Sequence, residues 1–370
     1  MKYNKISFCT VCMNRAMHLK ETLPRNIHDN RDYNNIEFVL LDYGSKDDLY
    51  SWAQDNLRAY IDAGILTYFS TKDPQYFHMS HSKNMAFRLA TGDIICSVDA
   101  DNFTGAGFAT YVNEMFNKDT AIFLAPPRIG PDKKWWDVQG RLCLRKDDFY
   151  YNRGYDEQVT DYGYEDQDLK SRLEQYGRRR TCIHNPAYLQ AIRHDDHMRI
   201  AEGISVRKTK DLFIAPVDEQ VSEVIYLQEN NVFERFYVSN DPLQYKAAGV
   251  QFDAQPGNNY LLKPRRRYAG TYRTEGNTTW LMKENEKIWM ILANQPQGHL
   301  LAADKRLFYR VDSCDLRETF LLERAIHLGK KIYMQNRKHA HIINPQGFGA
   351  GKVYRNFSAE RIILEEVGVS

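Results

Sequence analysis

No stretch of this 370-residue chain approaches the roughly 18 uninterrupted apolar residues that a membrane span needs. The amino terminus, Met1-Lys2-Tyr3-Asn4-Lys5, runs straight into an apolar strand and lacks the core of a signal peptide. A soluble protein is therefore expected, cytoplasmic or peripheral at the inner face of a membrane. An excess of one charge is also missing. Lysine and arginine total 50 against 48 acidic residues, a net of +2, so no global field points to nucleic acid. The runs Arg178-Arg179-Arg180 and Arg265-Arg266-Arg267 read as solvated surface. Cysteine is scarce: the six, at 9, 12, 96, 143, 182 and 314, form no disulfide framework, and several sit in apolar runs as reduced core residues. Cys9 and Cys12 lie three apart in a strand, which turns them to opposite faces and excludes a shared metal or disulfide. A phosphate loop is absent as well. Gly347-Phe348-Gly349-Ala350-Gly351-Lys352 has Gln346 where the first glycine belongs and Val353 where a Ser or Thr belongs, and reads as a glycine-rich turn.

What is present is alternation. Strands are predicted at Ile6 to Cys12, Ile36 to Leu41, Leu66 to Ser70 and Ile94 to Val98, with helical spacing after Asn14-Arg15, from Leu49 to Ala63 and from Ser80 to Ala90. Such an order predicts an α/β fold with a doubly wound, mostly parallel sheet and a ligand edge at the strand carboxyl ends. Polar residues collect at those ends: Asn14 and Arg15, Asp42 with Tyr43, and Asp99-Ala100-Asp101. Paired carboxylates closing a buried strand attract a divalent cation or a basic partner; the plain alternative is a solvated turn.

Taken together these motifs resemble the GT-A glycosyltransferases, family 2 in particular. That family has a short polar loop after the first strand, D-D-G-S after the second, and D-x-D after an A-T-G-D-x-I strand. Downstream, Gly154-Tyr155-Asp156-Glu157, then Tyr162-Gly163-Tyr164-Glu165-Asp166-Gln167-Asp168-Leu169, Arg172-Leu173 and Gly177 resemble the galactosyltransferase-type second half of the catalytic domain. Ile192-Arg193-His194 resembles its closing histidine-bearing strand. The resemblance spans roughly residues 4 to 200 and rests on several motifs in order.

It implies an inverting, metal-dependent glycosyltransferase that moves a sugar from a nucleotide sugar, a UDP-sugar first, to a glycan or glycoconjugate in surface polysaccharide synthesis. Asp101 would bind Mn²⁺ or Mg²⁺ directly and Asp99 the sugar and metal water, with His194 or a neighbour among Asp195, Asp196 and His197 as third ligand. Asp166 would be the base and Glu165 would orient the acceptor, although carboxylates on a first helical turn are also favoured by the helix dipole. Tyr162 and Tyr164 offer sugar platforms or packing. Asn14, Arg15 and Asp42 face the nucleotide, and Lys83 the diphosphate. The sequence departs from D-D-G-S at Tyr43, which could stack on or hydrogen-bond a base and leaves the identity of the nucleotide open. Trp135 and Trp136 suit an acceptor lid or packing.

The resemblance ends near Leu212, so a catalytic domain over 1–212 and an accessory domain over 213–370 are expected. The latter alternates apolar runs with turn signals from 224 to 312, predicting β-hairpins, then a helix from Leu316 to Leu328, a short strand at Lys331 to Met334 and a helix from Ser358. Its role is open between acceptor binding and packing, including a homo-oligomer. Two other classes were weighed. Sugar-phosphate nucleotidyltransferases need a glycine-rich first loop, and Cys12-Met13-Asn14-Arg15-Ala16-Met17 has no glycine. A non-catalytic sugar-binding scaffold has no use for a base.

Overall fold

The computed structural model describes residues 2–127, 138–193, 195–218, 221–239, 261–283, 287–338 and 342–365. The elements run β1 (Ile6–Cys12), α1 (Ala16–Asp29), β2 (Ile36–Tyr43), α2 (Leu49–Asn56), α3 (Arg58–Asp62), β3 (Leu66–Thr71), α4 (Met79–Leu89), β4 (Ile94–Ser97), β5 (Asn102–Phe103), α5 (Phe108–Lys118), β6 (Ile122–Ala125), β7 (Leu142–Arg145), α6 (Lys146–Tyr151), α7 (Glu165–Gln175), β8 (Arg179–Cys182) and β9 (Gln190–Ala191). They continue with α8 (Asp196–Ile200), α9 (Ile204–Lys208), β10 (Thr209–Pro216), β11 (Val221–Gln228), β12 (Val232–Ser239), β13 (Leu261–Glu275), β14 (Thr278–Met282), β15 (Ile288–Asn294), β16 (Leu300–Ala302), β17 (Leu307–Arg310), α10 (Cys314–Lys338), β18 (Gly351–Arg355) and β19 (Arg361–Leu364).

Residues 1–194 and 329–370 form one compact unit, and 195–328 another. In the first, the described residues build a nine-stranded sheet ordered β19-β18-β3-β2-β1-β4-β7-β6-β8. β1 pairs in parallel with β2 and β4, and β2 with β3, while β7 and β18 run antiparallel to their neighbours. Alternation of side chains along each strand splits the apolar residues between two cores. Phe8, Phe38, Leu40, Ile94 and Cys96 pack with α1 and α5 on one side. Cys9, Val39, Leu41, Ile95 and Leu144 pack with α4 and α7 on the other. Cys9 and Cys12 fall into different cores, and the described cysteines are all free. The register sets Cys12 beside Asp42 and Cys9 beside Ser97, so the carboxyl ends of β1, β2 and β4 share one edge.

The second unit is a closed antiparallel barrel, β10 through β17, lined by Phe213, Ile225, Phe233, Leu281, Leu292 and Phe308. Among the described residues, the turn at Gly276 makes one of the expected hairpins, joining β13 to β14.

Four expectations change. The single boundary after residue 212 gives way to a division in which 329–370 returns to the first unit, because β18 pairs with β3 through Tyr354 and Arg355. Lys331 to Met334 belongs to α10 instead of a strand; a four-residue run lacks the length to leave a helix that is already propagating. The helix predicted from Ser358 is instead strand β19, in which Ile362 and Leu364 turn inward and Arg361 and Ile363 outward, a period of two. The helix predicted from Leu49 to Ala63 is broken at Leu57 into α2 and α3.

Candidate active site

β4 ends where its apolar run ends, and Val98 still donates its N–H to the Cys9 carbonyl at 2.9 Å. Asp99 follows half-buried, and Asp101 is buried. Burial, with Asp101 and Asp166 nearby, pushes the Asp99 carboxyl up to about 6 in spite of Lys83 and Arg141. Asp101 Oδ1 accepts from Asn102 Nδ2 at 2.8 Å, and its carbonyl accepts the Ile192 N–H at 2.8 Å. With β5 paired antiparallel to β9, this pins residues 190–192 beside the paired carboxylates. His194 lies outside the described residues, as do Trp135 and Trp136.

The second group comes from α7. Gly163 and Tyr164 both have left-handed backbone, with φ of +102° and +72°, and turn the chain sharply into the helix, so that Glu165 and Asp166 occupy its first turn. Lys83, only 3% exposed, reaches in from α4 and joins both carboxylates: Nζ is 3.2 Å from Glu165 Oε1 and 3.0 Å from Asp166 Oδ1. Its cation also sits 5.3 Å from the Tyr155 ring centre. Burial works against the charge of Asp166, but Lys83 and Lys170 outweigh it and hold the carboxyl below its ordinary value. Burial and Asp166 raise Glu165 to about 7 against the pull of Lys83. Adjacent carboxyls thus differ in protonation near neutral pH, a pattern suited to acid–base work. Removing Lys83 would leave buried carboxylates uncompensated, a loss of about 3–5 kcal/mol.

At the nucleotide end, loop cross-links dominate. Asn14, with φ of +56°, takes the Lys46 N–H on Oδ1 at 2.6 Å and gives its own N–H to Ser45 Oγ at 3.1 Å. Arg15 stands half-buried at the start of α1. Asp42 is buried, accepting from Ser45 N at 2.8 Å and Tyr68 Oη at 2.7 Å, and burial raises its carboxyl. Tyr43 is 3% exposed, with its hydroxyl 2.7 Å from His81 Nδ1, which leaves its ring no open face for a base. Tyr162 and Tyr164 are half-buried beside the acidic turn.

Two residues at this site carry no sequence signal. Arg141, fully buried, donates to Asn102 Oδ1 and Phe103 O, both at 3.1 Å, and to Tyr188 O, which stiffens the backbone behind Asp101. Lys170 is buried too, its Nζ 2.6 Å from the Gln139 carbonyl; burial lowers it to about 8 despite Asp166 and Glu165. Between them, Gly140 lies so close to Asp99 that a Cβ there would overlap the carboxylate. One short turn, 138–141, therefore touches Asp99 and, through Lys170, the helix that carries Glu165 and Asp166.

Residues 7–170 match the family described as glycosyl transferase family 2. That stretch, somewhat under half of the chain, is similar to the family 2 glycosyltransferases, and the α/β unit that holds it is GT-A-like. Among solved structures, the mannosyltransferase PcManGT from Pyrobaculum calidifontis in complex with GDP-Man and Mn²⁺ is 21% identical, over 49% of this chain and 55% of its own, with a TM-score of 0.40. S. aureus TarS 1-349 in complex with UDP-GlcNAc is 15% identical, over 52% and 60%, with a TM-score of 0.44. The match thus spans a little over half the length of each, and similarity of that degree speaks to neither donor nor acceptor. No curated protein matches the chain.

In this α/β unit the donors at the end of β4 are hard carboxylate oxygens, and burial of Asp99 outweighs the nearby charges of Lys83 and Arg141. A divalent cation fits that set. Among the described residues no three acidic, histidine or cysteine side chains converge as a complete metal cage.

Proposed function

We propose that the chain is an inverting, metal-dependent glycosyltransferase that transfers a sugar from a nucleotide-sugar donor, a UDP-sugar first, to a hydroxyl of a glycan or glycoconjugate in surface polysaccharide synthesis. One observation carries the reading. Lys83 joins Glu165 and Asp166 while its charge is felt at Asp99, which supports a shared site for the two groups that sugar transfer needs. Asp99 and Asp101 would hold Mn²⁺ or Mg²⁺, which when bound offsets charge on the departing diphosphate. Asp166 takes the acceptor proton, and Glu165 orients the acceptor by hydrogen bonding. Lys83 is shared between base and diphosphate, and a bound donor draws it from Asp166, leaving that carboxylate the stronger base. Tyr162, Tyr164, Trp135 and Trp136 are proposed for the acceptor, His194 as a further metal ligand, and Asn14, Arg15 and Asp42 for the nucleotide.

The test is a screen of nucleotide sugars with Mn²⁺, reading donor binding and metal-dependent release of sugar. Asp101→Ala should abolish metal-dependent donor binding. Asp166→Asn should keep binding and lose turnover by roughly 10²–10⁴-fold, the usual contribution of a general base. Failure of every donor to bind would sink the reading.

A further inference from the structure

The last three turns of α10 lie in the same unit as the acidic turn, and three of their residues, Gly329, Tyr333 and Asn336, recur at i, i+4 and i+7 on one face of the helix. They meet the segment around the acidic pair in chain order. A Cβ at Gly329 would overlap the Gly163 carbonyl. The Tyr333 ring packs on Tyr164 with centres 5.5 Å apart. Asn336, buried, spends both amide hydrogens on two fully buried carboxylates: Nδ2 is 2.8 Å from Asp156 Oδ2 and 2.8 Å from Asp168 Oδ1. Asp168 stands on the same helical turn as Glu165 and Asp166, and Asp156 on the 153–157 segment behind Lys83. After the helix, Asn344 continues the grip, with Nδ2 2.7 Å from both the Arg153 and Tyr155 carbonyls and Oδ1 3.0 Å from Glu157 N.

We infer that Asn336 is a positioning residue of the transfer site, and that this face of α10 is a splint setting the height and direction of Glu165 and Asp166. The inference rests on the proposed transferase reading. An apolar side chain at 336 would take away the donor that Asp156 and Asp168 share; Asp168 would keep Arg172 Nε at 2.8 Å and Asp156 the Gln158 N–H at 3.0 Å, so what is lost is the tie that holds the two segments together. Left-handed Tyr164, strained for a residue with a Cβ, persists because Tyr333 and Gly329 leave it no other course. Gly329, Tyr333 and Asn336 have no contact with donor or acceptor in this reading. Misplacement by a fraction of an ångström is enough to slow transfer, because catalytic geometry is exacting.

The experiment compares Asn336→Ala and Gly329→Ala with the wild type, using the full chain, Mn²⁺ and the donor found by the screen. Both should lower kcat by roughly 10- to 100-fold with donor KM and donor affinity nearly unchanged. Thermal unfolding guards against simple unfolding: the fall in kcat has to appear at a temperature at which each variant is folded, since the Cβ added at Gly329 must displace the Gly163 carbonyl. A fall in donor affinity equal to the fall in kcat, or no fall at all, overturns the positioning role. If the wild type turns over no donor, the transferase reading fails separately. The splint is then read by hydrogen exchange at the amides of 165–169, where Asn336→Ala should exchange faster; equal protection overturns it.

Discussion

Glu165 shows how one carboxyl ties function to stability. Burial and Asp166 raise it to about 7, whereas an unfolded chain titrates it near 4.3. The raised value means that the folded state favours the protonated acid. Its contribution is fully present below the unfolded pKa and is lost as pH rises through about 7. Glu165→Gln removes this titration. The variant should therefore gain on the wild type between pH 5 and pH 8, measured by urea unfolding at both values; a constant difference would show that Glu165 titrates normally. Lys83 is raised well above its ordinary value despite burial because Asp166 and Glu165 face it, so it stays charged across that range and does not confuse the comparison.

Among the elements, the turn at 138–141 does more than its length suggests. It presents Gly140 to Asp99, sends the Arg141 guanidinium to Asn102, and accepts Lys170 on the Gln139 carbonyl. A single methyl group at position 140 has to displace the Asp99 carboxylate or the turn. Gly140→Ala should destabilise the domain by about 1–3 kcal/mol, the usual cost of overpacking. It should also weaken metal-dependent donor binding, which calorimetry would measure; wild-type affinity would detach the turn from the donor half. Helix α4 plays the matching part on the other side. Lys83 goes to the acidic pair, while the next residue, Asn84, binds the Tyr155 carbonyl and Glu157 Oε1, both at 2.9 Å, and so holds the 153–157 segment against the same helix.

At the scale of the molecule, the α/β unit is assembled from two stretches of chain separated in sequence by the whole barrel. The returning stretch is built in, not appended: β18 adds to the sheet beside β3, Phe348 and Val353 are buried in the core of the α4 face, and Gly349 gives its N–H to Glu157 Oε1 at 2.6 Å. Each large apolar side chain so buried contributes about 1.5–3 kcal/mol, against a total stability of about 5–15 kcal/mol for a typical domain. A chain ending after residue 340 should therefore lose the cooperative unfolding of the first unit. Near-ultraviolet circular dichroism and limited proteolysis would check this, and a truncated chain with native spectrum and protease resistance would contradict it.

The order of strands and helices to Gly92, the buried strand ending in Asp99 and Asp101, and the helix opening at Glu165 are legible in the sequence, because each is written in local periodicity and in residues a few positions apart. The apolar runs around Cys9, Cys12, Cys96 and Cys143 likewise mark those four as core residues, whereas Cys314 is exposed. Tertiary structure alone decides where Lys83 goes, since its ion partners lie 82 and 83 positions away, and that Tyr43 is enclosed against His81. It alone decides that Asn336 binds Asp156 and Asp168, from 180 and 168 positions off. It also settles that Ile362 to Leu364 is a strand, because an edge strand gains its hydrogen bonds from β18 and not from its own sequence. Periodicity reports which face of an element is apolar; it carries no record of which distant element covers that face, because that depends on chain closure over hundreds of residues.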